Sequence, residues 1–290
     1  MTNTEKSQLS GVKETLLYTL YYRALDQRSK APIVGDTWAA DVLDRITADN
    51  RKGLLTAKLG ASGRFPPLLR ARRLDDWTRE FLARHSDASV LHLGCGLDSR
   101  AFRLDVPKRV RWYDLDFPDV IELRRRLYPE HAGSRLLASS ATDPGWLDES
   151  PVDRPTLMVV EGVLPYLTAA DVRQLFVRLT DRLPSGELIF DGVARPTARM
   201  SKLFRWSLGD PREIERWNPR PALIDVVPVV AEFEQIPYRR YRALFRLMNK
   251  IQAIRNGMRL LRYRLNANQH HAQQADCRRQ STPRTMKMKD

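Results

Sequence analysis

Two cysteines, Cys95 and Cys277, are all the sequence contains. One sits between two glycines and the other in a polar carboxy-terminal segment, so no disulfide framework is expected and a cytoplasmic setting is. No apolar run approaches the ~20 residues that span a bilayer. The opening MTNTEKSQLSG lacks the apolar stretch of a signal peptide. Five histidines, His85, His92, His131, His270 and His271, are scattered, which argues against a metal centre. Carboxylates are also outnumbered: 35 Asp and Glu face 49 Lys and Arg, for a net charge of +14. The imbalance is local. Residues 239–290 hold 14 Lys and Arg against 2 Asp and Glu, which leaves a net charge of +2 for the rest. The basic character therefore belongs to the carboxy-terminal segment and not to the whole fold.

What is present reads as a globular chain. Apolar residues make up 42%, enough at this length for one buried core. Strand-like runs are expected at 89–94, 109–114, 135–139, 156–160, 186–191, 222–230 and 258–265, with Pro228 weakening the end of the sixth. Helices fit 11–28, 68–84, 117–127 and 240–256. Another follows Thr168, where Val172, Phe176, Leu179 and Leu183 share a face and Thr168 with Asp171 resembles a capping box. The alternation predicts an α/β fold, a doubly wound, mostly parallel seven-stranded sheet with an amino-terminal helical arm. Residues 194–221 break the rhythm and read as a helical lid. Residues 1–265 are expected to form a single domain and 266–290 a basic disordered tail able to attract polyanions nonspecifically.

The stretch VLHLGCGLDSRAFRL, residues 90–104, places an apolar strand before Gly94-Cys95-Gly96. A dinucleotide fingerprint is incomplete, because position 99 is Ser, and a phosphate loop would want Lys-Ser/Thr where the chain has Leu97-Asp98. The loop suits a neutral or zwitterionic ligand. In such sheets the ligand lies at the carboxyl ends of neighbouring strands. The second strand ends near Asp114 and Asp116, where a carboxylate can accept two hydrogen bonds from ribose hydroxyls. The third ends in Ser139-Ser140-Ala141 and the fourth in Glu161-Gly162. Each also has a plain structural reading: a turn for Gly94 and Gly96, a helix cap for Asp116, a strand end for Ser140, an arginine partner for Glu161. Their convergence at one end of the sheet favours a nucleoside-bearing ligand.

Together with ETLLYTLYYRA (14–24), PPLLRARRLDDWTREFL (66–82), WYDLDFPDVI (112–121) and EGVLPYL (161–167), the loop LGCGLDSR resembles the S-adenosylmethionine-dependent leucine carboxyl methyltransferase superfamily, in particular its tetracenomycin-type polyketide O-methyltransferases. The resemblance covers roughly residues 11 to 265. It implies S-adenosylmethionine as cofactor, Arg70 as the clamp on its carboxylate and Gly94, Cys95 and Gly96 beside its methionine part. It further implies Asp116 on the ribose, Ser140 and Ala141 beside adenine, and Glu161 facing the amino group. Lys13 falls near another contact, and Asp98 reads equally well as a loop-shaping residue. Pro165 stands where relatives often carry Met.

The expected activity is O-methylation of a carboxylate, or a phenol, on a small acidic or polyketide-like acceptor. Arg23, Arg100 and Tyr166 are candidate substrate-side groups, although a structural role suits each alone. One alternative is a nucleic-acid methyltransferase using the basic end. Against it, an Asn/Asp-Pro-Pro-aromatic motif is missing after the fourth strand and Cys95 is misplaced as a nucleophile. The other is a non-catalytic cofactor-binding protein of the same fold.

Overall fold

The structure is a computed structural model that describes residues 14–46, 62–149 and 153–265. Lys13 and the whole of 266–290 lie outside the described residues. Seven strands form one sheet: β1 (Ser89–Leu93), β2 (Arg111–Asp116), β3 (Ser134–Ala138), β4 (Thr156–Val160), β5 (Gly186–Val193), β6 (Pro221–Pro228) and β7 (Met258–Leu265). Their spatial order is β3-β2-β1-β4-β5-β7-β6. The first five run parallel, while β7 is antiparallel to both β5 and β6. The main helices are α1 (Glu14–Gln27), α2 (Thr37–Arg45), α3 (Phe65–Arg84), α4 (Pro118–Leu127), α5 (Ala169–Arg182) and α6 (Arg239–Lys250).

Parallel strands covered on both faces read as unbroken apolar runs, and β1 and β4 are buried at every residue. Side chains then divide by parity. Val90, Trp112, Leu157 and Ile189 join one core with Trp77 and Phe81 of α3 and Phe245 of α6. Leu91, Leu115, Met158 and Phe190 join the other with Val172, Phe176 and Leu179 of α5. The capping box forms as expected: the Asp171 N–H donates to the Thr168 hydroxyl at 3.1 Å and the Thr168 N–H to the Asp171 carboxylate at 3.2 Å.

Several boundaries differ from the sequence expectation: β1, β3, β5 and β6 by one or two residues at an end, and β2 as a whole. β2 sits two residues later than 109–114, so Asp116 is its last residue and Asp114 lies inside it. An aspartate within a buried strand is tolerated because it is paired. Asp114 bonds Arg124 at 2.7 Å, His92 at 3.0 Å and the Trp112 indole at 2.9 Å. β6 stops at Pro228, the residue that lacks a ladder donor, on an edge strand where it does least harm.

The amino-terminal arm is the pair α1 and α2, whose Leu17, Leu20, Val42 and Leu43 pack with Leu97 of the glycine loop. The 194–221 segment is tied down. Leu208 donates to the Val193 carbonyl at 2.7 Å, Arg205 to the Pro165 carbonyl at 2.7 Å, and Trp206, Leu208 and Ile214 are buried in the second core. It forms a wall over the strand ends.

Candidate active site

The carboxyl ends of β1, β2 and β4 are in register, Leu93 beside both Leu115 and Val160, and a cleft of about 690 Å³ opens where they stop. All eight candidate cofactor residues, Arg70, Gly94, Cys95, Gly96, Asp116, Ser140, Ala141 and Glu161, line it. They converge because parallel strands deliver each loop to the same edge, while α3 and the amino-terminal arm close the remaining sides.

Gly94 and Gly96 take φ of +61° and +49°, a region costly for residues with a Cβ. At Gly94 the space matters too, since a Cβ would overlap the Val163 side chain. The loop is pinned from β2: the Gly96 N–H donates to Asp116 Oδ2 at 2.7 Å and the Phe117 N–H to Oδ1 at 2.8 Å. Burial pushes the Asp116 carboxyl up, against the pull of those two donors. Burial likewise pushes the Cys95 thiol well up, so it stays protonated and packs as a small apolar group. The Ser140 hydroxyl pairs with that of Thr142 at 2.8 Å.

Arg70 reaches over from α3. Its Nε donates to Glu161 Oε1 at 2.9 Å and its Nη1 to Asp191 Oδ2 at 3.0 Å. Asp191 also accepts from the Gly162 N–H at 2.6 Å, and Nη2 of Arg70 lies 3.3 Å from where a Gly162 Cβ would stand. Burial opposes the arginine charge, but Asp191 and Glu161 outweigh it and raise the guanidinium pKa. Glu161 bonds Arg100 through its other oxygen at 2.6 Å. Burial alone would raise that carboxyl; Arg70 and Arg100 hold it down to about 2.

The chain of charges continues below the cleft. Arg100, fully buried, bonds Asp75 at 2.7 Å and lies 3.5 Å from Asp98. Arg103 bonds Asp75 and Asp98, and Arg23 lies 3.1 Å from Asp36 and 3.4 Å from Asp98. Burial would raise the Asp98 carboxyl, but Arg103, Arg23 and Arg100 hold it well below the usual range. Asp98 thereby ties the glycine loop to Arg23, Arg100 and Arg103. Of the three candidate substrate-side groups, Tyr166, edge-on to Phe204 at 5.3 Å, and Arg23 line the cleft, while Arg100 does not.

The lining also holds apolar and aromatic side chains, Tyr18, Tyr22, Pro67, Leu167 and Phe204. The Tyr22 hydroxyl is buried with no hydrogen-bond partner among the described residues. Burial, with Tyr18 and Tyr21 nearby, raises its pKa. Asp191 and Tyr22 were not recognisable as site residues from motif spacing. A carboxylate closing the apolar run Leu188-Ile189-Phe190 is the signal that points to Asp191; Tyr22 has none. No group of three or more His, Cys, Asp or Glu able to hold a metal occurs among the described residues. No described helix is long and apolar enough to cross a membrane.

A family model of leucine carboxyl methyltransferases matches residues 17–138. The chain is 42% identical over 275 residues to the tetracenomycin polyketide synthesis O-methyltransferase of Streptomyces glaucescens, covering 89% of this chain and 98% of that protein. It is 36% identical over 241 residues to an S-adenosyl-L-methionine-dependent methyltransferase of Gibberella zeae, covering 74% and 81%. A crystal structure from Thermobifida fusca YX, described as that of a methyltransferase, superposes with a TM-score of 0.57 at 17% identity. It covers 86% of this chain and 94% of that one, and shows a shared methyltransferase fold.

Proposed function

The chain belongs to the leucine carboxyl methyltransferase family, and from that premise we propose an S-adenosylmethionine-dependent O-methyltransferase acting on the carboxylate of a small, apolar, aromatic acid. The residues present fit the cofactor. A glycine loop without Cβ atoms lets the backbone approach the methionine part, Arg70 keeps its Nη2 donors for a carboxylate, and each Asp116 oxygen keeps a lone pair for a ribose hydroxyl. The charge balance also suits it. Arg23, Arg70, Arg100 and Arg103 meet Asp36, Asp75, Asp98, Glu161 and Asp191 in one network, so carboxylates are in excess by one. A ligand whose ammonium and sulfonium outnumber its carboxylate complements that excess.

When bound between Arg70, the glycine loop and Asp116, the cofactor would supply an electrophilic methyl for an acceptor oxygen. The observation that carries the choice of acceptor is that each described cleft carboxylate and imidazole is already engaged, Asp116 by the Gly96 and Phe117 N–H groups and the ribose proposed for it. His92 spends Nδ1 on Asp114 at 3.0 Å and Nε2 on an Arg100 N–H at 3.3 Å. Glu161 and Asp98 are held ionised by arginines, which makes them weak bases. A carboxylate arrives ionised and needs none. The residues then act by aligning it and excluding water. Label from the cofactor methyl, transferred to an aromatic acid, should be released as methanol by base. A base-stable product would indicate an aryl ether and overturn the carboxylate reading. Turnover should also stay flat from about pH 6 to about pH 9, since a carboxylate is ionised throughout while a phenol is not.

Two substitutions probe the cleft and a third, at Asp114, serves as a control. Tyr22 stays protonated, and its buried hydroxyl, without a partner among the described residues, is the donor we propose for an acceptor oxygen. Tyr22→Phe should lower kcat/KM about tenfold, the worth of one hydrogen bond to a charged group, with cofactor affinity unchanged. An equal loss of cofactor binding would place Tyr22 on the other ligand. Asp116→Ala should weaken adenosine as well as the full cofactor, by about 1.5–3 kcal/mol. Asp114→Ala should lower Tm instead, because it strips Arg124 of its partner. The reverse pattern in adenosine titrations would move the ribose contact to Asp114.

A further inference from the structure

Helix α6 buries one apolar edge and exposes another. Tyr241 and Phe245 pack on Phe65 with ring centroids 5.0 and 5.8 Å apart. On the solvent side Leu244 and Leu247 are 43% and 60% exposed, and Ile251, the extended residue that ends α6, and Ile254, in the short helical turn Gln252–Arg255 beyond it, add an aliphatic patch 48% and 38% exposed. A continuous aliphatic stripe of this kind on a protein surface marks an interaction site, whereas isolated exposed leucines do not. The same stretch, residues 239–255, carries Arg239, Arg240, Arg242, Arg246, Lys250 and Arg255 and no Asp or Glu. Among the described residues only Arg246 has a carboxylate partner, Glu234 at 2.9 Å.

The stripe runs beside the cleft. Phe65, under α6, stands between Gly63 and Pro67 of the cleft wall. At the far end Gly257 accepts from the Ala194 N–H at 2.9 Å, and a Gly257 Cβ would stand 3.0 Å from Thr197 Oγ1. The segment that starts there continues through Met200, 86% exposed, to Phe204 in the cleft wall.

We propose that this face of α6 docks on an anionic lipid surface, its aliphatic stripe entering the headgroup boundary and its cations meeting the lipid charges. A helix with a cationic flank and an apolar stripe has the composition of an in-plane membrane contact. A second copy of this chain would set six cations against six. The stripe is also a convex helix edge without a groove, which a fluid surface follows more readily than a rigid partner does. Docking in this way brings the rim of the cleft to a phase in which apolar acids concentrate. The inference rests on the surface alone and holds whichever oxygen is methylated.

The test is cosedimentation of the full chain with vesicles of phosphatidylcholine, with and without phosphatidylglycerol. The chain should partition onto the anionic vesicles and weakly onto the neutral ones. Leu244→Ser with Leu247→Ser should reduce that partition about tenfold while Tm and turnover of a dissolved acceptor stay unchanged. No binding to anionic vesicles would overturn the proposal. So would binding that the double substitution leaves intact, which would assign it to the cations of residues 266–290. A dimer in sedimentation velocity that the same substitutions dissociate, with no vesicle binding, would assign the face to self-association and also overturn it.

Discussion

Arg70→Ala is expected to weaken S-adenosylmethionine by about 2–5 kcal/mol, the cost of leaving a desolvated charge without its partner, and to lower Tm as well. The second effect follows from the geometry. Arg70 joins Glu161 and Asp191 before any ligand arrives, so its removal leaves buried Asp191 without a cation and Glu161 with Arg100 alone, and breaking such pairs costs about 3–5 kcal/mol. Adding Glu161→Gln to Arg70→Ala should recover part of the Tm and none of the affinity. Calorimetric titration with thermal unfolding separates the two. Near-native affinity in a folded Arg70→Ala protein would remove Arg70 from the cofactor site. Acid should act through the same pair. Glu161 sits at about 2 in the folded chain and near 4.3 unfolded, so its contribution is complete above about pH 5 and fades as pH falls toward 2. Without Arg70 that window moves to higher pH.

Gly94→Ala should abolish detectable cofactor binding. Its backbone, at φ +61°, would cost a Cβ-bearing residue about 1–2 kcal/mol, and the new methyl would overlap Val163, the residue just after Gly162. Either the glycine loop or the loop that follows β4 must shift, and both line the cleft. Gly96→Ala is the internal control. Its φ is +49°, yet a Cβ there would lie 3.6 Å from Leu16, an ordinary contact. The expectation is a severe loss for Gly94→Ala and a milder one for Gly96→Ala, with Gly94→Ala/Val163→Ala in between. Equal affinities across the three would show that the loop does not touch the cofactor.

Continuous apolar runs made β1, β4 and β5 legible, because strands buried on both faces leave little else to read. The cleft residues at their ends were legible for the same reason: parallel strands send their loops to one edge. β2 was displaced because Asp114 looks like a strand end. The partner that keeps it inside, Arg124, lies on a helix and carries no local signal. The charge network was hidden by the same logic. Arg23, Asp75, Arg100 and Arg103 look like surface residues in sequence, and only their mutual pairing, between α1, α3 and the glycine loop, makes burial tolerable. The plain reading of Glu161 as an arginine partner holds, since its oxygens meet Arg70 and Arg100, and its role beside an amino group stays part of the proposal.

The order of strands sets a timetable for synthesis. β5 ends at Val193, but its outer neighbour is β7, which ends at Leu265, and β6, made in the interval, pairs with β7 alone. At roughly 5–20 residues per second, the about seventy residues in between take several seconds to emerge. Throughout that time the buried edge of β5 and the whole of β6 lack their hydrogen-bonding partner. Newly made chains must therefore pass through a stage with a free apolar strand edge, the template on which extended segments of other chains add. Slowed translation after Val193 would lengthen this exposure, and nascent-chain aggregation should peak over that interval.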